Sequence, residues 1–204
     1  MLFTSNLFVF LFLPLTIAGY YLLARQFKNL FLLVMSLLFY AWGEPSFVLI
    51  MIASILFNYF MALFIDMLYY HHAVKRMLMI ITIVGNLGLM FVYKYLDFVI
   101  GSLAAFQTWR FGSSWLTPYG FILPIGISFF TFQALSYVID VYRGTVEVQK
   151  KPHNLALYVS FFPQLIAGPI VRYQTIAEQI DGRREIFEDF AIGVKRFIVG
   201  FSRR

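Results

Sequence analysis

Gln133, Ser136, Tyr137 and Asp140 set an amide, a hydroxyl, a phenol and a carboxylate at positions i, i+3, i+4 and i+7. On a helix that spacing gathers all four on one face. The surrounding stretch, LPIGISFFTFQALSYVIDVYR at 123–143, is otherwise apolar and aromatic and opens on Pro124 and Gly126. In lipid a polar stripe ending in a carboxylate is costly to keep, so it must face protein or water. That makes the stripe the first place to look for a function. Its plainer use is hydrogen bonding between helices, and Asp140 and Arg143, three residues apart, are spaced to pair.

Histidine is the side chain best suited to moving a proton near neutral pH, and the chain has three, His71, His72 and His153. His71 and His72 follow Tyr69-Tyr70 close to Lys75 and Arg76, which reads as a solvated or headgroup-facing loop. His153 follows Lys151-Pro152 at the mouth of a further apolar segment. There is no cysteine, which excludes a disulfide framework, thiol catalysis and a thiolate metal site. No metal site and no bound cofactor are expected.

The elements that must position the stripe are built for a bilayer. The chain has 204 residues, 61% of them hydrophobic and only 13% charged, with a mean hydropathy of +0.78. Charge is absent from 1–24, 46–65 and 77–93, and about 17–25 apolar residues suffice to cross roughly 30 Å of hydrocarbon. Spanning helices are expected at 7–24, 29–42, 46–65, 77–95 and 119–142, with Gly43-Glu44-Pro45 as a tight turn. Residues 101–118 read as the longest irregular connection, its Trp109 and Trp115 suited to an interface. The N-terminus lacks a basic residue before Arg25 and an A-x-A site, so it is expected to stay as a spanning helix rather than be cleaved.

Basic residues fix a topology. Arg25 and Lys28, then Lys75 and Arg76, then Arg143, Lys150 and Lys151 fall on one side of the alternating spans. That side is expected to be cytoplasmic, with the N-terminus outside. The formal charge of +6 thus reads as orientation and contact with anionic lipid headgroups, not nucleic acid. Full crossing by 154–171 would carry Arg172, Arg183 and Arg184 outside. Pro163 and Gly168-Pro169 break helical hydrogen bonding there, so a re-entrant or broken segment beside a cavity open to the cytoplasm is expected. Phe187, Phe190, Val194, Phe197, Ile198 and Phe201 then form an apolar stripe, with Glu185, Glu188 and Asp189 ahead of it and Lys195, Arg196, Arg203 and Arg204 towards its end. That is an amphipathic helix lying in the interface. The fold class read from the residues is all-α: a polytopic integral membrane helical bundle with a broken or re-entrant segment and an interfacial amphipathic helix.

LPIGISFFTFQALSYVIDVYRG, followed by PHNLALYVSFFPQLIAGPIVRY, resembles the front half of the membrane-bound O-acyltransferases. The opening MLFTSNLFVFLFLPLTIAGYYLL and the SLLFYAWGEP turn are similar to the alginate-type bacterial members. The likeness covers essentially the whole chain. It implies a helical bundle with a thin centre crossed by a tunnel, in the inner membrane of a bacterium. An acyl donor, acetyl-CoA or a similar acyl thioester, would enter from the cytoplasm. A hydroxyl of an exopolysaccharide such as alginate would receive the acetyl group outside, with a periplasmic acetyl-transfer protein as partner.

The resemblance also bears on residues. The family's histidine base lies in a tryptophan- and arginine-rich segment beyond the equivalent of Arg204, so no catalytic residue is expected here, and 1–204 reads as the N-terminal part of one acyltransferase domain, inactive alone. Gln133, Ser136, Tyr137, Asp140, Arg143, Pro163, Gly168, Pro169 and Arg172 become candidates for the tunnel wall. Arg172 is placed either to hold a CoA phosphate or to anchor topology. A multi-spanning transporter or channel subunit is the alternative, since broken helices and midplane polar groups are common there too. A transporter should show repeated halves, and no internal repeat is visible.

Overall fold

The computed structural model describes residues 5–168, 171–183 and 185–202, and among these every regular element is helical. A π-helical stretch, Phe8–Phe12, runs into α1, Leu13–Leu22. α2 spans Arg25–Gly43 and stops at Glu44, because a proline at 45 disfavours helical backbone in the residue before it. A 3-10 turn, Pro45–Phe47, leads into α3, Val48–Met67, and α4 follows at His72–Lys94. Two stretches, Pro45–Met67 and His72–Lys94, hold 23 residues each, and the most apolar 18 residues of each have mean hydropathies of 2.4 and 1.8. Each is about 35 Å long at 1.5 Å per residue, enough to cross a bilayer of about 30 Å. Their outward residues are apolar, with Leu49, Ile80 and Val84 all exposed. The protein is built for a membrane.

Two expectations need correction. Residues 101–118 are not an irregular connection: α5, Leu96–Phe111, occupies most of them. The single Gly101 costs the helix only about 1 kcal/mol, Asp97 sits in the first turn and Arg110 in the last, and the helix ends at Gly112 with φ 76°. The span expected from 119 begins later, since α6 is Ile127–Arg143. Pro118, Pro124 and the positive-φ glycines Gly120 and Gly126 keep 112–126 out of helix. Its amides find carboxylates instead. Asp97 accepts from the Tyr119 and Phe121 N–H groups at 2.9 and 2.5 Å, and Glu44 Oε2 accepts from Ile125 N–H at 2.9 Å.

α6 is the element the others surround. It packs against α3 and α4, against α7, Pro152–Ser160, and against α9, Tyr173–Gly182. α2 packs along α7 and along α8, Phe162–Ala167. α6 ends in a Schellman motif, with Gly144 N–H donating to Val141 O and Thr145 N–H to Asp140 O, both at 3.0 Å. The basic turns meet at one end: Lys75 lies over Tyr142, Tyr59 donates its hydroxyl to Lys150 O, and Asn29 bonds Asn154. Near that end the last helix, α10, Phe187–Ser202, touches α1 through Tyr21 and Phe190, edge to face at 5.7 Å.

One polar joint was not expected. Asn58 of α3 and Asn86 of α4, both fully buried, exchange reciprocal amide bonds of 3.0 and 2.9 Å. Each also donates to a carbonyl one turn back, Asn58 to Ser54 O and Asn86 to Thr82 O, both at 2.8 Å. The pair is a hydrogen-bonded clasp of the kind that joins helices in lipid. Asn58→Leu should therefore lower unfolding stability in detergent by about 1–3 kcal/mol, by orphaning the Asn86 amide. Asn58→Leu/Asn86→Leu should lose less than the single change, and a double loss equal to the sum of the singles would contradict the pairing.

Candidate functional site

The segment between α7 and α8 is where the backbone departs most from helix. A helix running through it would join Phe162 N–H to Tyr158 O four residues back. Pro163 prevents that course: it has no N–H for Val159 O, and its ring crowds that carbonyl. The break falls at Phe161, with φ −55° and ψ 112°. Two side chains then take the halves of the opened bond. Gln133 Nε2 donates to Tyr158 O at 2.6 Å, and Phe162 N–H donates to Ser36 Oγ at 3.3 Å. Ser36 is itself fully buried and donates to Leu32 O at 2.7 Å. Irregular backbone inside a membrane protein needs such replacement partners.

The remaining stripe residues continue from that clamp. The Ser136 hydroxyl donates to Gln133 O at 2.8 Å and lies within reach of the Tyr158 phenol. Tyr137, fully buried, accepts from Gln149 N–H at 2.8 Å and meets Tyr173 edge to face at 4.9 Å. Tyr173 accepts from Gln149 Nε2 at 2.8 Å and packs on Tyr158 at 5.2 Å. Tyr158 donates to Val171 O at 2.8 Å. Asp140 is buried, and among the described residues its Oδ2 has no hydrogen-bond partner. A buried carboxylate oxygen left unpaired is costly in structural terms, which singles it out from the rest of the face.

The expected residues therefore divide. Gln133, Ser136, Tyr137 and Asp140 do share one face, turned towards α7, α9 and the 145–151 connection. Arg143 is exposed and makes no ion pair with Asp140; among the described residues the ion pair is Lys28–Glu185. Pro163 sits in the first turn of α8, exposed, and Gly168 follows that helix in extended backbone. A Cβ on Gly168 would come within 2.8 Å of the Gln164 backbone, so the position needs glycine. Arg172 is exposed just ahead of α9. Pro169 lies outside the described residues. Sequence reasoning passed over Ser36, Gln149 and Tyr173. Gln149 and Tyr173 are remote from the stripe in sequence, and Ser36 is one small polar residue inside an apolar run.

A second polar group gathers at the basic end. Glu185 accepts from Lys28 Nζ at 2.7 Å and from the Tyr20 hydroxyl at 2.6 Å. Arg183 donates from Nε to Tyr20 and from Nη2 to Asn29 Oδ1, at 2.6 and 2.8 Å. The Asn29 amide donates to Asn154 Oδ1 and Ile180 O, both at 2.9 Å. His153 lines the cavity beside them, while His71 and His72 are exposed around the start of α4. The Lys28 and Tyr20 hydrogen bonds hold the Glu185 carboxyl below the usual carboxylate range.

Two measurements check these arrangements. Gln133→Leu, which keeps the bulk but leaves Tyr158 O unpaired, should lower unfolding stability by about 1–3 kcal/mol, and no change on unfolding in detergent would remove the clamp. Glu185 has a depressed carboxyl pKa in the folded protein, so its tie contributes stability above the unfolded carboxylate pKa and loses it as pH falls through the folded value. Being largely exposed, it should contribute little. The wild-type minus Glu185→Gln stability difference should be constant near neutrality and shrink below about pH 4; a difference that grows on acidification would contradict the tie.

No family model and no solved structure matches the chain. Curated relatives do. A protein of Pseudomonas aeruginosa named probable alginate O-acetylase is 37% identical over 204 residues, covering all of this chain and 39% of the relative. One of the same name from Azotobacter vinelandii is also 37% identical, covering all of this chain and 41% of the relative. A peptidoglycan O-acetyltransferase of Helicobacter pylori is 32% identical over 236 residues, covering all of this chain and 44% of that protein. The chain spans about two fifths of the length of the curated relatives it matches.

Proposed function

We propose that the chain belongs to the membrane-bound O-acyltransferase family and forms the N-terminal part of a polysaccharide O-acetyltransferase. The observation that carries this reading is the end-to-end likeness, at 37% identity, to proteins named alginate O-acetylase. The reaction passes an acetyl group from a thioester, acetyl-CoA or a similar donor, to a hydroxyl of an exopolysaccharide such as alginate. The hydroxyl oxygen attacks the thioester carbonyl, a general base takes the hydroxyl proton, and the donor's thiolate leaves. In this reading the base is the family's histidine from a segment outside residues 1–204, and His71, His72 and His153 have other places.

What these residues contribute is a wall. The α7–α8 break, clamped by Gln133 and Ser36, opens a polar face that runs past Tyr158 and Tyr173 towards Asp140, and a helix interruption with buried polar groups is suited to line a passage. Asp140 and Arg172 then help place the donor from the basic, cytoplasmic end. The helices form a multi-pass bundle in the bacterial inner membrane with the N-terminus outside, the 154–171 segment re-entrant and α10 in the interface. A periplasmic acetyl-transfer protein hands the group to the polysaccharide. The transporter alternative has no relative to support it among the proteins above.

The test is a chimaera in which this chain replaces the aligned residues of the Pseudomonas aeruginosa relative in a strain deleted for that protein. O-acetylated alginate should return, and Asp140→Asn within the chimaera should cut acetyl content at least severalfold with membrane insertion unchanged. Residues 1–204 expressed alone should transfer no label from acetyl-CoA. A chimaera that inserts and leaves alginate unacetylated, or label transferred by the short chain and abolished by His153→Ala, would overturn the proposal.

A further inference from the structure

The groove between the first two helices and the last two changes character along its length. At the α1–α2 turn a cavity of about 550 Å³ is lined by Arg25, Lys28, Lys151 and Arg183, with Glu185 as the carboxylate among them and the amides of Asn29 and Asn154 alongside. Glu185 is already taken by Lys28 and Tyr20, so the balance of that cavity is basic. A second cavity, about 510 Å³, shares Ile180 and Arg183 with the first and adds Asp189 and Gln164. A third, about 750 Å³, shares Leu32 and Phe161 with the second and is walled by Ile17, Phe162, Val194 and Phe197. Each falls in the range of about 300–1,000 Å³ usual for small-molecule sites. Tyr20 ties the two ends: its ring lines the apolar cavity and its hydroxyl bonds Arg183 and Glu185 at the basic one.

A basic mouth that continues into an apolar trough matches an amphiphile with an anionic head. A free phosphate has no use for the trough, and a neutral lipid has none for the mouth. We infer that this groove holds an anionic glycerophospholipid, its phosphate against the α1–α2 turn and one acyl chain between α1 and α10. Basic pockets between membrane helices recognise anionic headgroups in this way, and burial of acyl methylenes supplies the rest of the affinity. The bound lipid would fill the space between α1 and α10, which otherwise meet at Tyr21 and Phe190. This inference rests on the membrane location and stands apart from the acetyl-transfer reading.

Native mass spectrometry of the full chain in detergent, titrated with phosphatidylglycerol or phosphatidylcholine, tests it. Two variants leave the internal ties in place. Arg25→Gln removes charge from the mouth, and Gly193→Phe fills the trough at a position where an added Cβ meets nothing within 4 Å. The wild type should retain phosphatidylglycerol in preference to phosphatidylcholine, and Arg25→Gln should weaken that binding about fivefold. Gly193→Phe should also weaken it, with the melting temperature unchanged. Equal retention of the two lipids would overturn the inference. So would phosphatidylglycerol binding that Gly193→Phe leaves intact, or that pyrophosphate or acetyl-CoA displaces from the wild type as readily as a second lipid does, since the mouth would then be a soluble-anion site.

Discussion

A single absent hydrogen bond organises this protein. Pro163 cannot continue the helix that begins at Pro152, and the bond between Phe162 N–H and Tyr158 O is lost with it. In an apolar interior neither group can turn to water, and each would cost several kcal/mol if left alone. Gln133 from α6 and Ser36 from α2 supply the replacements. Because those partners come from opposite sides, the break fixes how α2, α6 and the α7–α8 pair sit together. The stripe on α6 is thus built around a helix interruption, with the Tyr137–Gln149–Tyr173 group extending the same logic towards the basic end.

That arrangement clarifies what the polar face can do. Gln133, Ser136 and Tyr137 have their hydrogen bonds met by the fold, so positioning is their first role. Asp140 differs, with a buried oxygen that the described residues do not satisfy. In an acyl-transfer enzyme the general base must be held at hydrogen-bond distance from the reacting hydroxyl. For the acyl transfer proposed above, a clamped wall beside a helix break is suited to such placement, whichever segment brings the base. The cationic cluster at the α1–α2 turn answers a separate need, holding a charged head at the membrane surface.

The face of α6 was legible because helical spacing is local: four polar residues at i, i+3, i+4 and i+7 share a side whatever surrounds them. The apolar runs and the Gly43-Glu44-Pro45 turn were legible for the same reason. The helix at Leu96–Phe111 was not, since it has no clear apolar face and a small residue, Gly101, near its start. The start of α6 was misplaced because apolar composition over 119–126 outweighed the two prolines and two glycines that keep 112–126 extended. Ser36, the Asn58–Asn86 clasp and the Lys28–Glu185 tie depend on which helices become neighbours, and nothing in local spacing reveals that. The proline at 163 announced a break, but only packing shows which side chains complete it.

The most direct test of this account is hydrogen exchange at one amide. With phenylalanine labelled by nitrogen-15 in detergent micelles, the Phe162 N–H should exchange slowly, as befits a buried donor with a partner. In Ser36→Ala it should exchange much faster, while amides within α3 and α4 keep their protection. A Phe162 amide that exchanges freely in the wild type, or one that Ser36→Ala leaves unchanged, would mean that the break is not held in the way described.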